Sequence, residues 1–187
     1  MKRILLIGGL ALVLAVVAKI IYDTNINYNF KEITKDKVYK SGTIPPEKLP
    51  GYIEKHHIKS VIDLRFPESE DEVHNPEVPE ELIAEKEVLD QMPGVNYFHI
   101  GSEQIPDQET LDKFFEVMDN PENYPVLIHC YHGEGRAILF STIYRMEYEN
   151  MPNEEARKKS RVVVKWGNFD HGTPKGEYVK KYLKRRT

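Results

Sequence analysis

The chain has 187 residues, a formal net charge of −4, and 30% charged and 40% hydrophobic side chains. That length suits one domain with appendages and is enough to bury a sizeable core. The slightly acidic balance excludes the global basic field of a nucleic-acid binder. The lone cysteine, Cys130, excludes an internal disulfide and a cysteine-rich zinc site.

Lys2-Arg3 precedes an apolar run from Ile4 to Ala18, which Lys19 interrupts and Ile20-Ile21-Tyr22 extends. A spanning helix needs ~20 residues and Lys19 can snorkel, so residues 1–22 read as an uncleaved transmembrane signal anchor, with membrane contact through residues 4–22. A cleaved signal peptide is the rival; Val16-x-Ala18 resembles a peptidase site, but no polar segment precedes it. The N-terminal amine, Lys2 and Arg3 outweigh Lys19, which keeps the N-terminus cytoplasmic and turns the domain outward, into the periplasm in a Gram-negative host. The polar, Asn-rich residues 23–37 read as a linker or a first short strand, and residues 38–187 as the folded domain.

Val38–Ser41 is a short strand. Pro45-Pro46 opens a helix with Leu49, Tyr52 and Ile53 at helical spacing. Val61–Arg65 reads as a buried strand, with Arg65 as a structural ion-pair partner. Residues 67–79 are acidic and read as an exposed loop, with His74 solvated. A helix over Glu80–Met92 ends at Pro93-Gly94, and the strand Val95–Ile100 follows. Asp107–Asp119 is amphipathic, with Leu111, Phe114, Phe115 and Met118 inward. Arg136–Glu149 is a mostly apolar helix, and Pro152-Asn153 opens another. From Trp166 onward the pattern is less regular, and the basic tail Lys180–Arg186 reads as a solvated terminal helix; contact with anionic lipid headgroups is its functional alternative.

The stretch Val126-Leu-Ile-His-Cys-Tyr-His-Gly-Glu-Gly-Arg136 organises the rest. An apolar strand ending near Ile128 puts Cys130 at a strand's C-terminal end, where open α/β sheets place their ligands. Gly133 and Gly135 let successive backbone N–H groups of residues 131–136 converge into an anion nest, and the following helix adds its N-terminal partial charge. The Arg136 guanidinium matches two oxygens of a phosphoryl group. The same field favours the thiolate of Cys130, the nucleophilic form. Tyr131, His132, Gly133, Glu134, Gly135 and Arg136 are thus the substrate-binding candidates. His129, beside Cys130, is expected to orient the loop through hydrogen bonds and help tune the thiol. The histidines show no close metal-ligand spacing and no Walker-type loop is present, so no metal or cofactor is expected.

This stretch resembles the His-Cys-x5-Arg signature of the cysteine-dependent tyrosine and dual-specificity phosphatases. Tyr39–Leu49, Ile58–Arg65 and Ile105–Leu111 look like the small atypical dual-specificity phosphatases, a similarity spanning about residues 37 to 150. The resemblance implies an α/β domain: a central, mostly parallel sheet of four or five strands with helices on both faces. It also implies metal-free phosphomonoester hydrolysis (EC 3.1.3 type) by Cys130 through a cysteinyl-phosphate. A general acid on the loop after the strand Val95–Ile100 completes the set: Asp107, with Glu103 as the alternative. Asp107 also fits the N-cap of the next helix. Two positions depart from the family. Ala137 stands where a Ser or Thr hydroxyl helps the thiolate leave, which predicts a slow second step. Glu134 brings a carboxylate to the loop, which opposes highly charged substrates. The expected partners are a phosphorylated protein or a small phosphomonoester. The alternative reading is a catalytically weak or inactive phosphatase-like module that holds a phosphorylated partner at the membrane. A sulfur-transfer or arsenate-reducing enzyme is a third, and the reductase is disfavoured by the lack of a second cysteine.

Overall fold

A computed structural model describes residues 2–66, 79–160 and 168–185, with side chains from Gly8 onward. Helix α1 (Lys2–Ile21) runs into a π-type turn, Tyr22–Ile26. Over Gly8–Ile26 the mean hydropathy is 1.6 and none of it is buried, so this N-terminal helix is long and apolar enough to cross a membrane.

The strands are β1 (Lys31–Thr34), β2 (Val38–Ser41), β3 (Ser60–Asp63), β4 (Asn96–His99) and β5 (Val126–His129). They form one sheet in the order β1-β2-β5-β3-β4, parallel except for the β1–β2 edge. The sheet thus begins inside residues 23–37, with β1. The inner strands β2, β3 and β5 are buried at every position, as expected of a parallel sheet covered on both faces. Alternation splits their side chains. Val38, Ile62, Val126 and Ile128 join one core with Phe114, Phe140 and Ile143, while Tyr39, Val61 and Leu127 join the other with Leu49, Ile53 and Leu89. Ser41, Asp63 and His129 are in register, so the loops after β2, β3 and β5 emerge together at one edge.

Helices α2 (Leu49–His56) and α3 (Pro79–Asp90) cover the second face. Helices α4 (Gln108–Asp119), α5 (Arg136–Tyr148), α6 (Asn153–Lys159) and α7 (Pro174–Lys181) lie on the first. Helix α2 starts at Leu49 rather than at Pro45-Pro46, because Pro46 holds Pro45 out of the helical region and the segment forms a turn instead. The acidic stretch with His74 (67–78) and Trp166 lie outside the described residues.

In the basic tail Lys180 and Lys181 are solvated at the end of α7, but Tyr182 and Arg185 beyond it are docked. Arg185 donates to Asp119 (2.8 Å) and Glu147 (3.3 Å) and lies 3.8 Å over the Phe115 ring. The Tyr182 hydroxyl donates to Glu147 at 2.7 Å. The chain end therefore straps α4 to α5. Replacing Arg185 with Ala should cost about 1–2 kcal/mol, from a stacked cation and its charged hydrogen bonds. Arg185→Lys should recover only part, because an ammonium neither forks nor stacks. Thermal unfolding of the full chain in mild detergent checks both.

Candidate functional site

The loop after β5 meets a constraint common to all anion nests: if its N–H groups face inward, its carbonyls must turn outward and be satisfied there. Three successive carbonyls are satisfied by the neighbouring chain. The Tyr131 carbonyl accepts from Thr43 N–H (2.9 Å), the His132 carbonyl from Asn29 Nδ2 (2.9 Å), and the Gly133 carbonyl from Lys40 Nζ (2.8 Å). Gly133 sits at φ +73°, and a Cβ there would overlap Gly42 N and stand 2.6 Å from the Ser41 carbonyl carbon. Only glycine gives the loop that turn and that closeness to β2. Within the loop, Gly133 N–H points at Cys130 Sγ, 3.3 Å away. Cys130 lies at the buried floor of the loop.

Arg136, the first residue of α5, is also buried. Its Nη1 donates to Leu64 O (2.6 Å) and Ser102 O (3.1 Å), so the loops after β3 and β4 hold its guanidinium. Ala137 is fully buried. The Ser141 and Thr142 hydroxyls further along α5 donate to the helix carbonyls of Ala137 and Ile138.

Beneath the loop lies a buried charge cluster. Arg65 bridges Asp63 (2.8 Å) and Glu85 (2.7 Å), and Tyr97 donates to Asp63 at 2.8 Å. His129 Nε2 lies 2.9 Å from Glu85 and 3.6 Å from Asp63. The closer contact is an ion pair whose angle falls short of a linear hydrogen bond. Two carboxylates and one guanidinium leave one negative charge, which a protonated His129 balances. Burial disfavours that cation, but Glu85 and Asp63 outweigh burial and raise its pKa. Burial likewise pushes Asp63 up, and His129 with Arg65 outweighs it, holding the carboxyl at about 2. His129 is thus positioned by the two carboxylates. Asp63, Glu85 and His129 lie close enough together to hold a metal ion. Arg65, bonded to both carboxylates, already supplies the cation there.

The two candidate acids fare differently. Asp107 is exposed and caps α4, accepting from Thr110 N–H at 2.8 Å; that bond lowers its pKa, the wrong direction for a proton donor. Glu103 is also exposed but directly follows Ser102, whose carbonyl touches Arg136. Gln104 is next. Its Oε1 accepts from Lys175 Nζ at 2.6 Å, and both groups border Gly135. Tyr131 and His132 pack edge to face on the rim. Glu134 is exposed on the loop's flank, where it lines a cavity with Lys40.

Sequence reading missed Lys40, Asn29, Glu85, Gln104 and Lys175. A lysine inside an otherwise apolar buried strand was a usable signal for Lys40. Thr173-Pro174, an N-cap followed by proline at N1, was one for α7, which carries Lys175. Burial lowers the Lys40 pKa to about 8, against the opposing charges of Cys130 and Glu134.

A family model described as "DSP-PTPase phosphatase fused to NAD+ Kinase" matches residues 14–174. No curated protein matches the chain. Solved structures share its fold, and three of them illustrate it. The core catalytic domain of the PP-IP phosphatase Siw14 from S. cerevisiae is 21% identical, covering 83% of this chain and 85% of that one, with a TM-score of 0.58. TpbA from P. aeruginosa is 17% identical, covering 84% and 86%, with a TM-score of 0.59. The PTP-2 phosphatase of Cydia pomonella is 18% identical, covering 83% and 94%, with a TM-score of 0.56.

The charge cluster makes stability depend on pH in two windows. A raised His129 contributes fully below its ordinary value of 6.5, and that contribution is lost as pH climbs through the higher folded value. A depressed Asp63 contributes above its ordinary 3.8, and that is lost as pH falls towards about 2. Glu85→Gln should therefore destabilise the protein more at about pH 6 than at about pH 9, where His129 is closer to neutral in both proteins. Denaturant midpoints at the two pH values test this, and an equal gap at both would mean that His129 keeps one charge state in the fold across this range.

Proposed function

The chain belongs to the family of DSP-type protein tyrosine phosphatases and is a cysteine-dependent phosphatase of the EC 3.1.3 type; from that premise we propose that it hydrolyses phosphomonoesters in two displacements at Cys130. The observation that carries this reading is the loop itself: three consecutive outward carbonyls and an inward Gly133 N–H aimed at Sγ. The Cys130 thiolate attacks phosphorus in line, the S–P bond forms and the bond to the leaving oxygen breaks. Inward N–H groups of residues 131–136 and Arg136 carry the charge on the equatorial oxygens. Glu103 delivers the proton to the leaving oxygen, being the carboxylate on the segment that touches Arg136, while Asp107 is committed to capping α4. Water then attacks phosphorus and gives its proton to Glu103, and the S–P bond breaks to restore the thiolate.

The fold neighbours give a range of substrate types. The yeast one is described as a PP-IP phosphatase, and a cysteine variant of TpbA is described in complex with pTyr. For this chain the substrate is a phosphomonoester, on a protein or a small molecule. Glu134 lies on the loop's flank and Lys175 borders Gly135, which favours an anionic ligand at the rim. On this reading helix α1 is a membrane anchor, and the positive charge at its start, Lys2 and Arg3 against Lys19 at its end, favours the outer side for the domain.

Ala137 gives the alternative of a weak or inactive phosphate-binding module its one point of support, because no hydroxyl stands at that position to assist the second step. Rapid mixing of the full chain in detergent with an aryl phosphate, without added metal, should give a burst and then slower turnover. Cys130→Ser should abolish both phases, and Ala137→Ser should raise the steady-state rate and leave the burst unchanged. Phosphopeptide binding with no release above Cys130→Ser would support the binding module instead. With a poor leaving group, Glu103→Gln should lower kcat by about 100-fold, in the range of general acid catalysis. Asp107→Asn should cost about 1 kcal/mol of stability or less and little kcat; the reverse ranking would return the acid role to Asp107.

A further inference from the structure

The anchor and the phosphate loop are joined by a very short path. The π-type turn Tyr22–Ile26 follows α1 directly, and Asn29, three residues on, already bonds the His132 carbonyl of the loop at 2.9 Å. Asn29 N–H in turn donates to Asp23 O at 2.6 Å, and Lys40 Nζ donates to Asn29 O at 3.0 Å. No slack remains for the domain to hang away from the end of α1.

Between them lies a cavity of about 480 Å³. One wall is the end of α1, through Lys19 and Ile20. A second is the flank of the phosphate loop and α5, through Glu134, Ile138 and Arg145. The third includes Phe30, Lys31 and Ile33. Five basic side chains (Lys19, Lys31, Lys40, Arg145 and Lys159) line it against two acidic ones, Asp23 and Glu134. Lys19 pairs with Asp23 at 2.6 Å, Arg145 lies 4.0 Å from Glu149, and Lys159 lies 3.6 Å from Glu155. Lys31 and Lys159 are exposed at the opening. The cavity is thus basic, partly apolar through Ile20, Phe30, Ile33 and Ile138, and continuous with the exposed apolar surface of α1.

We infer that this cavity is a binding site for the headgroup of an anionic glycerophospholipid, seated where the anchor leaves the membrane and backed by the flank of the phosphate loop. The inference rests on α1 being a membrane anchor. Its basic excess selects a headgroup of net negative charge over a zwitterionic one, and its apolar wall takes the glycerol and the first acyl carbons. A soluble phosphate would share only the first of these contacts. A phosphodiester is not cleaved by monoester chemistry, so the lipid is a bound ligand that fixes the domain's orientation, with Lys40 and Glu134 linking it to the loop.

The test uses the full chain in mild detergent, with bound lipids counted by native mass spectrometry. Wild type should retain one phosphatidylglycerol at concentrations where phosphatidylcholine is not retained. Lys31→Gln with Lys159→Gln, both exposed and outside the catalytic loop, should weaken that retention by about thirtyfold, as expected for two cations at a headgroup. Glycerol phosphate should not displace the lipid. Equal retention of the two lipids, retention unchanged in the double variant, or displacement by glycerol phosphate at matching concentration would each overturn the site. Flotation with pure phosphatidylcholine vesicles separates the two readings. A chain that fails to float lacks the anchor, whereas one that floats but shows no phosphatidylglycerol preference has the anchor and lacks the site.

Discussion

The inward set of the loop's N–H groups depends on where its carbonyls go. A peptide plane that points its N–H at an anion points its C=O the opposite way, and a buried carbonyl without a donor costs about 1–3 kcal/mol. Here Thr43, Asn29 and Lys40 supply donors to residues 131, 132 and 133 in succession. With those bonds in place, the alternative orientation of the peptides would leave carbonyls facing Cys130 and donors facing donors. The fold positions the donors for its own reasons. β2 is paired in register with β5, so Lys40 and the turn after Ser41 lie alongside the loop that β5 feeds.

The same register explains the charge cluster. Asp63 and His129 stand opposite each other at the ends of β3 and β5. Two polar side chains at adjacent strand ends in a fully covered sheet must be satisfied internally. Arg65 from the loop after β3 and Glu85 from α3 do this, so the helix covering the second face is tied electrically to the residue next to Cys130. This arrangement has the form of a scaffold rather than a metal centre, because its guanidinium bonds both carboxylates.

Arg136 shows how three loops are coordinated. Its guanidinium is held by carbonyls from the loops after β3 and β4, and its backbone begins α5. A side chain held in this way would lose little further freedom in the proposed contact with two phosphoryl oxygens, which is the benefit of preorganisation in electrostatic catalysis. The segment after β4 is held in the same contact, and it carries the exposed Glu103 directly after Ser102. Lys175 reaches the same edge from α7, far away in the chain, through Gln104.

The sequence by itself determined the elements whose signals are local. The apolar run of α1, the amphipathic stripe of α4, the buried strand before Cys130 and the glycine spacing of the loop could all be read from neighbouring residues. So could the family, through the His129-Cys130-x5-Arg136 pattern. Tertiary structure alone decided which distant residues complete the site. Nothing near Asn29 in the chain marks it as a donor to His132, 103 positions away, and nothing near Glu85 marks it as the partner of His129. It also showed Asp107 in one of the two tasks open to it, the N-cap of α4; an N-cap and a general acid look alike in sequence and differ only in what the carboxylate faces. The basic tail illustrates the same limit: its composition reads as solvated, and only the meeting of Arg185 with Asp119, Glu147 and Phe115 docks it. Periodicity and turn chemistry act over a few residues, whereas hydrogen-bond satisfaction and charge balance are settled by whatever the sheet register brings within about 3 Å.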